Sequence, residues 1–346
     1  MRDLGAATPS RLGISRIAIT VALLTALAAS IAQPISVLAG PPGLDEGNDG
    51  RLTVLLLASD SRGTGISRTD SMMIASIDDN KVITTASIPR DTARIPLPAS
   101  LGGGTYKGKI NGMVKSFINA GSSRDVALDK FETVIENLLQ IQIDYRVVLW
   151  FGGMTTLVAE IDPISVNIPK EIRDSKIIDD HDPTARRGIY FPVATNYELW
   201  ATNEAFNGRT YCNGNWRFDP LPIEPQNMCH RALPFTRSRK GPGNNDWVRE
   251  ARQQNFLFSA INATSDTELS SLVSVAMNPG NGKWLTNIPI TIDSANYLYN
   301  RFAGATFPAG NKVVFKPKTY ATHIINTSAY QLKLPEVRAW TAAHLT

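Results

Sequence analysis

The chain of 346 residues contains only two cysteines, Cys212 and Cys229, and four histidines, His181, His230, His323 and His344. The histidines show no i, i+4 pairing and the cysteines no metal-thiolate spacing, which argues against a zinc site and a Ser-His-Asp triad; the histidines are expected on the surface. Formal charge is only +4 at pH 7, and a nucleic-acid surface would need basic residues clustered on one face with interleaved aromatics. Gly102-Gly103-Gly104 lacks the Gly-Lys-Ser/Thr ending of a phosphate-binding P-loop and reads as a flexible lip. There is no internal repeat or low-complexity tract. The length suits one large domain, or one domain and a small appendage, with ample core.

What the chain does have is arginine and aspartate gathered where strands or helices should end. The stretches are Ser59-Asp60-Ser61-Arg62 through Arg68-Thr69-Asp70-Ser71, then Ile88-Pro89-Arg90-Asp91, then Phe235-Thr236-Arg237-Ser238-Arg239 leading into Asp246 to Gln253. Carboxylate oxygens hold hard divalent cations and guanidinium forks hold phosphate oxygens in pairs. Together they form the toolkit of a pyrophosphate site.

Residues 17–39 are almost wholly apolar and long enough to cross a hydrocarbon core, which takes about 20 helical residues. Arg2, Arg11 and Arg16 precede them while Asp45, Glu46 and Asp49 follow, so the positive-inside bias keeps residues 1–16 in the cytoplasm and places the rest outside. A retained anchor is favoured by the length of the run; a cleaved signal peptide processed near Val37-Leu38-Ala39-Gly40 is the alternative. Residues 40–50 read as a polar linker. In an exported chain the cysteine pair, which lies within an irregular insertion at 203–232 and brackets a loop of it, reads as a local disulfide, with about 3 kcal/mol from loop closure in the chain-entropy model.

Folding is expected from residue 51. Leu52–Ala58 is a continuous apolar run, the mark of a strand buried on both faces. Ser71–Ile77, Val82–Ile88, Tyr145–Phe151 and Ile164–Ile168 read as further strands. Asp125–Gln140 reads as an amphipathic helix with Ser123 as N-cap and Val126, Phe131, Val134, Ile135, Leu138 and Leu139 on its apolar face. Met154–Ile161 reads as a short helix, and Asn245–Ala263 as a long one carrying Asp246, Arg249 and Gln253 on one face. Strands around 313–315 and 323–325 and a helix at 335–344 follow. The alternation predicts a layered α/β/α domain with a central mixed sheet, preceded by one transmembrane helix, with 51–263 as its catalytic body and 264–346 as a C-terminal extension.

The order of these motifs resembles the LytR-CpsA-Psr family of cell-envelope transferases. The resemblance runs from about Leu52 to Ala263 and rests on Ala58 to Arg62, Arg68 to Ser71, Ser87 to Asp91, Lys109-Ile110-Asn111, Ile143-Asp144-Tyr145, Arg237-Ser238-Arg239 and Arg249 to Gln253. It implies a membrane-anchored enzyme, with its catalytic domain outside the cell, that moves a glycopolymer from a polyprenyl-diphosphate carrier to peptidoglycan. Carried over by motif, Asp60 and Asp70 would ligate Mg²⁺ or Mn²⁺. Arg68, Arg90, Arg94, Lys109, Arg237, Arg239, Arg249 and Gln253 would line the head-group pocket, and Asp91 is a candidate for taking the acceptor proton. No nucleic acid is implied. Two other functions use the same residues: a polyprenyl pyrophosphatase with water as acceptor, and a non-catalytic lipid-binding or attenuator protein.

Each charged residue also has a plainer reading. Asp60 and Asp70 suit a turn and a cap, and Asp246 suits a helix N-terminus. Arg237 and Arg239 would share one face of a strand, and Arg252 would pair with Asp246 or Glu250. Apolar residues in 147–151 and 154–161 could line a groove for a prenyl tail, but are also what an ordinary core looks like.

Overall fold

A computed structural model describes residue 44 and residues 49–59, 65–66, 68–161, 163–174, 189–201, 232–264, 284–289, 291–302 and 304–346. Residues 17–39, Asp60, Cys212 and Cys229 lie outside the described residues. Among the described residues no helix is long and apolar enough to cross a membrane.

The apolar run of Arg51–Ser59 forms strand β1, the third strand of a six-stranded sheet. Strand β2 (Thr69–Asp78) pairs with it antiparallel and β6 (Tyr145–Trp150) pairs with it parallel. Strand β3 (Ile83–Ser87) runs antiparallel to β2, and β12 (Lys312–Val314) closes that edge parallel to β3. The other edge is β11 (Trp284–Thr286), antiparallel to β6. Both edge strands therefore come from the C-terminal part of the chain. The sheet is mixed, and its pleat sends Leu52 and Val54 to one core and Leu55 and Leu57 to the other.

Helices α1 (Met113–Asn119), α2 (Arg124–Leu139) and α7 (Leu334–His344) cover the Leu55 face. Ser123 caps α2 by accepting from the Val126 amide. Phe131, fully buried, anchors the helix, and its truncation to alanine would cost about 3–5 kcal/mol. Val126, expected on the apolar face, is instead 44% exposed, because the buried stripe runs through Ala127, Leu128, Phe131, Val134, Ile135 and Leu138 and Val126 lies off its edge. The last carbonyls of α2 are satisfied from α7: Arg338 donates to Asn137 and Leu138, and Thr341 donates to Leu139.

The opposite face carries α3 (Phe151–Ala159), α4 (Ala232–Arg237), α5 (Asp246–Ala263) and α6 (Ile292–Phe302), with a small ladder of β7 (Ile164–Ile168) and β10 (Ala194–Leu199). The described residues form three further two-stranded ladders: β4 (Ile95–Pro96) with β5 (Thr105–Tyr106), β8 (Ile172–Asp174) with β9 (Ile189–Phe191), and β13 (Ala321–His323) with β14 (Tyr330–Leu332). The short helix expected at 154–161 begins at Phe151, directly after β6. Arg237 and Arg239 do not alternate on a strand: Arg237 is the last residue of α4 and Arg239 lies in the loop beyond it. Ala232 to Thr236 are all buried, so the run carries no amphipathic period to separate helix from strand; the Thr236 hydroxyl bonds back to the Ala232 carbonyl and the Ser238 amide to the Pro234 carbonyl, as a helix requires.

Candidate functional site

Asp70 owes its position to a fault in the sheet. Ala58 pairs with Ser71 and Ser59 with Thr69, so Asp70 is the extra residue of a bulge at the start of β2. Bulges re-aim side chains at sheet ends. The Asp70 carboxylate meets Arg90, whose Nη1 lies 2.8 Å from Oδ1, and the same oxygen accepts from the Asn111 amide at 3.3 Å. Arg90 comes from the turn that Pro89 forces after β3, in which the Thr92 amide donates to the Pro89 carbonyl.

The second half of the site is built by the start of α5. Asn245 caps the helix by accepting from the Val248 amide, and Asp246 occupies the first turn, where the helix dipole favours a carboxylate. Three guanidinium groups surround Asp246 Oδ1: Arg249 at 3.0 Å, Arg90 at 3.7 Å and Arg239 at 3.7 Å. Burial pulls the Arg90 guanidinium down, but Asp70, Asp246 and Asp91 outweigh it and hold the group above its ordinary value. Arg249 is buried, and its Nη2 donates to the Asp70 carbonyl at 3.0 Å. Beside it the Glu250 carboxyl is buried with Oε1 3.7 Å from Arg249, and burial pushes its pKa up to about 8.

The other expected site residues divide. Lys109 Nζ lies 2.7 Å from Asp91 Oδ1 and 3.0 Å from the Ser328 hydroxyl, which puts the lysine at the mouth of the site. Gln253 ties two elements together, accepting from the Ser71 hydroxyl at 2.9 Å and donating to the Thr236 carbonyl at 3.0 Å. The Arg237 guanidinium lies 4.1 Å over the Phe151 ring. Arg94 is exposed, takes a left-handed φ of 56°, and bonds Gln331 rather than joining Arg90. Arg68 is exposed just ahead of β2. The apolar residues Val147, Val148, Leu157, Val158 and Ile161 are buried in the core.

Arg252 does not pair with Asp246 or Glu250. It donates to the Ser238 carbonyl and to Asn244 Oδ1, packs 5.3 Å over Phe235, and burial pushes it down to about 9. It therefore holds the loop that presents Arg239.

Sequence reasoning missed Asp174, which is 2% exposed at the end of β8. Its Oδ2 accepts from the Ser238 hydroxyl at 2.9 Å and from the amides of Arg239 and Lys240 at 3.1 and 3.0 Å. Gly241 permits this approach, because a Cβ there would lie 1.7 Å from the Arg173 carbonyl oxygen, and its φ is +100°. Asn111 had a signal, the Lys-Ile-Asn motif; Asp174 had none.

Among the described residues no group of three or more His, Cys, Asp or Glu could hold a metal. Mg²⁺, however, commonly takes only one or two protein carboxylates together with phosphate oxygens and waters. Asp70 Oδ1 is engaged by Arg90 and Asn111, whereas no protein donor among the described residues bonds its Oδ2. That open oxygen, beside phosphate-binding guanidinium groups, fits a metal of this sparsely ligated kind.

A family model described as the LytR_cpsA_psr family matches residues 29–332. A Bacillus subtilis protein named polyisoprenyl-teichoic acid–peptidoglycan teichoic acid transferase TagV is 27% identical over 225 residues, 65% of this chain and 46% of that protein. The match thus spans less than half of that relative's length. The solved structure of B. subtilis TagV superposes with a TM-score of 0.57 at 22% identity, covering 86% of this chain and 98% of the other. A Streptococcus agalactiae protein gives 0.58 at 17% identity over 85% of this chain and 86% of its own. TagT bound to LIIa-WTA gives 0.51 at 16% identity over 90% and 95% of the two chains. These structures share the mixed α/β fold.

Proposed function

Because the chain belongs to the LytR_cpsA_psr family, we propose that it is a phosphotransferase that moves a glycopolymer from a polyprenyl-diphosphate carrier to peptidoglycan. The observation that carries this reading is the gathering of Arg90, Arg239 and Arg249 on Asp246, next to a bulged Asp70 held by Arg90. Three guanidinium groups on one carboxylate leave donors to spare for an incoming anion. The name of TagV, which is a transferase of teichoic acid to peptidoglycan, points the same way.

In the proposed reaction an acceptor hydroxyl oxygen attacks the phosphorus that carries the glycan. A new P–O bond forms, the P–O–P bridge breaks, and the polyprenyl monophosphate leaves with the bridging oxygen. The acceptor proton passes to the Asp91 carboxylate, which Lys109 orients. Arg90 and Arg239 stabilise the charge that builds on the phosphate oxygens, and Arg249 fixes the backbone of Asp70 from below. Asp70, with Asp60, would hold Mg²⁺ or Mn²⁺, which supplies further charge neutralisation when bound.

The test is turnover of a polyprenyl-diphosphate-linked glycan with soluble peptidoglycan as acceptor. Wild-type protein is expected to release polyprenyl monophosphate and to label the peptidoglycan in a Mg²⁺-dependent manner. Asp70→Ala should abolish both while keeping the fold. Release of free glycan phosphate without labelling would establish the pyrophosphatase instead, and undiminished turnover by Asp70→Ala would sink the assignment of Asp70.

A further inference from the structure

Next to the arginine cluster lies a cavity of about 370 Å³, within the range of small-ligand sites. Its walls include Arg90, Asp91 and Asp246, so whatever fills it touches the pyrophosphate site. Across from them stand Trp247 on α5 and the β13–β14 hairpin, which brings His323, Ser328 and Tyr330. Trp247 and Tyr330 meet edge to face with ring centroids 5.0 Å apart at 79°, and His323 meets Tyr330 at 5.3 Å and 69°. The three rings form a continuous stepped wall. Trp247 and Tyr330 are only half-buried and His323 is exposed, so they are not spent on the core.

The chemistry of the wall is mixed in a specific way. Aromatic faces carry negative charge that attracts polarised C–H groups. Around them stand a carboxylate that accepts (Asp91), a hydroxyl that donates and accepts (Ser328) and an imidazole. An aliphatic chain would strip water from these groups and offer no hydrogen bond in return, and a polyanion would meet the carboxylates of both Asp91 and Asp246. A pyranose ring has both what the rings want, an axial C–H face, and what the rim wants, a fringe of hydroxyls. The hairpin is also tied to the site: the Tyr330 amide donates to the Asp91 carbonyl and the Ala93 amide to the Tyr330 carbonyl, while Lys109 bridges Asp91 and Ser328. Asp91 and the aromatic wall therefore move as one piece.

We propose that this cavity is a pyranose subsite, in which Trp247, Tyr330 and His323 seat a sugar ring of a glycan with one hydroxyl against Asp91. Its placement rests on the transferase reading above, whereas its sugar-binding chemistry does not. The ring belongs either to the peptidoglycan acceptor or to the first sugar of the lipid-linked donor.

Saturation-transfer NMR and tryptophan fluorescence on the full chain separate these. One probe is an N-acetylglucosamine–N-acetylmuramic acid tetrasaccharide with no donor present, and the other is a short-chain prenyl-diphosphate-linked N-acetylglucosamine. For an acceptor subsite, Trp247→Ala weakens the tetrasaccharide about tenfold or more, Trp247→Phe restores most of it, and the prenyl-linked probe binds as in wild type. A loss confined to the prenyl-linked probe assigns the subsite to the donor sugar. His323→Ala, at an exposed position that leaves the core untouched, should give a smaller loss in the same arm and guards against misfolding of the tryptophan variant. Affinity for both probes unchanged in Trp247→Ala and His323→Ala overturns the subsite. Trp247-dependent sugar binding in a protein that neither transfers nor cleaves would leave the subsite standing and remove the transferase reading.

Discussion

Replacing Arg90 by lysine tests whether the site is a geometric clamp or only a positive field. The Arg90 guanidinium spans two carboxylates from different elements, with Nη1 2.8 Å from Asp70 on β2 and Nε 3.7 Å from Asp246 on α5. A lysine ammonium is a single point at the end of a flexible stem and can satisfy one of the two, not both. Either choice gives up one of the two contacts and takes a planar donor pair from the phosphate; Asp246 keeps Arg249 and Arg239, whereas Asp70 has only the Arg90 ion pair among the described residues. Loss of one preorganised donor of this kind typically removes about 10²–10³-fold from turnover, or roughly 2.7–4 kcal/mol of transition-state stabilisation. Arg94, four residues on, is the internal control: it is exposed and, among the described residues, bonds Gln331 at 3.3 Å, so lysine there should stay within about twofold. The assay is steady-state transfer from a polyprenyl-diphosphate-linked glycan, with kcat and KM determined separately. A contact realised in the transition state lowers kcat with little change in donor KM. Equal, modest losses in Arg90→Lys and Arg94→Lys would refute the clamp.

Asp174→Ala should lower stability by about 3–5 kcal/mol, because three donors from the Ser238–Lys240 turn lose their buried acceptor; urea unfolding measures it, and a change under 1 kcal/mol would mean the turn is held elsewhere. Glu250 sets a pH dependence. Burial raises its folded-state pKa from 4.5 to about 8, so the stability it contributes is full below 4.5 and falls as pH rises towards 8, by at most about 1.4 kcal/mol per pH unit. Glu250→Gln should match wild type near pH 5 and exceed it at pH 8, and parallel stability curves would contradict the protonated carboxyl. Cys212 and Cys229 are expected to be oxidised to each other outside the cell, so thiol labelling of intact cells should mark neither; two freely labelled thiols would refute the pairing.

The parts of this protein that could be read from sequence are those whose cause is local. A short continuous apolar run bounded by turn signals suits a strand buried on both faces, which is why β1 and β6 fall within a residue or so of their expected ends. A serine ahead of a 3.6-residue apolar period has to begin a helix, and Ser123 does. Motif residues that close a strand, such as Arg90 behind Pro89, were placed for the same reason. An Arg-x-Arg spacing fits a strand edge as well as a helix end, and the run Ala232 to Thr236, buried throughout, shows no period that would decide between them. The positions that could not be read are set by partners far along the chain. Asp174 meets the 238–240 turn more than sixty residues away, and nothing around it marks it as an anchor. Arg252 looks like one more surface cation of a helix until the Ser238 carbonyl is brought above it. The bulge that turns Asp70 out of the ladder is likewise a property of the register between two strands and of neither strand alone. In each case the residue type was visible and its partner was not, so the sequence identifies the groups able to bind a phosphate while the fold decides which of them face one another.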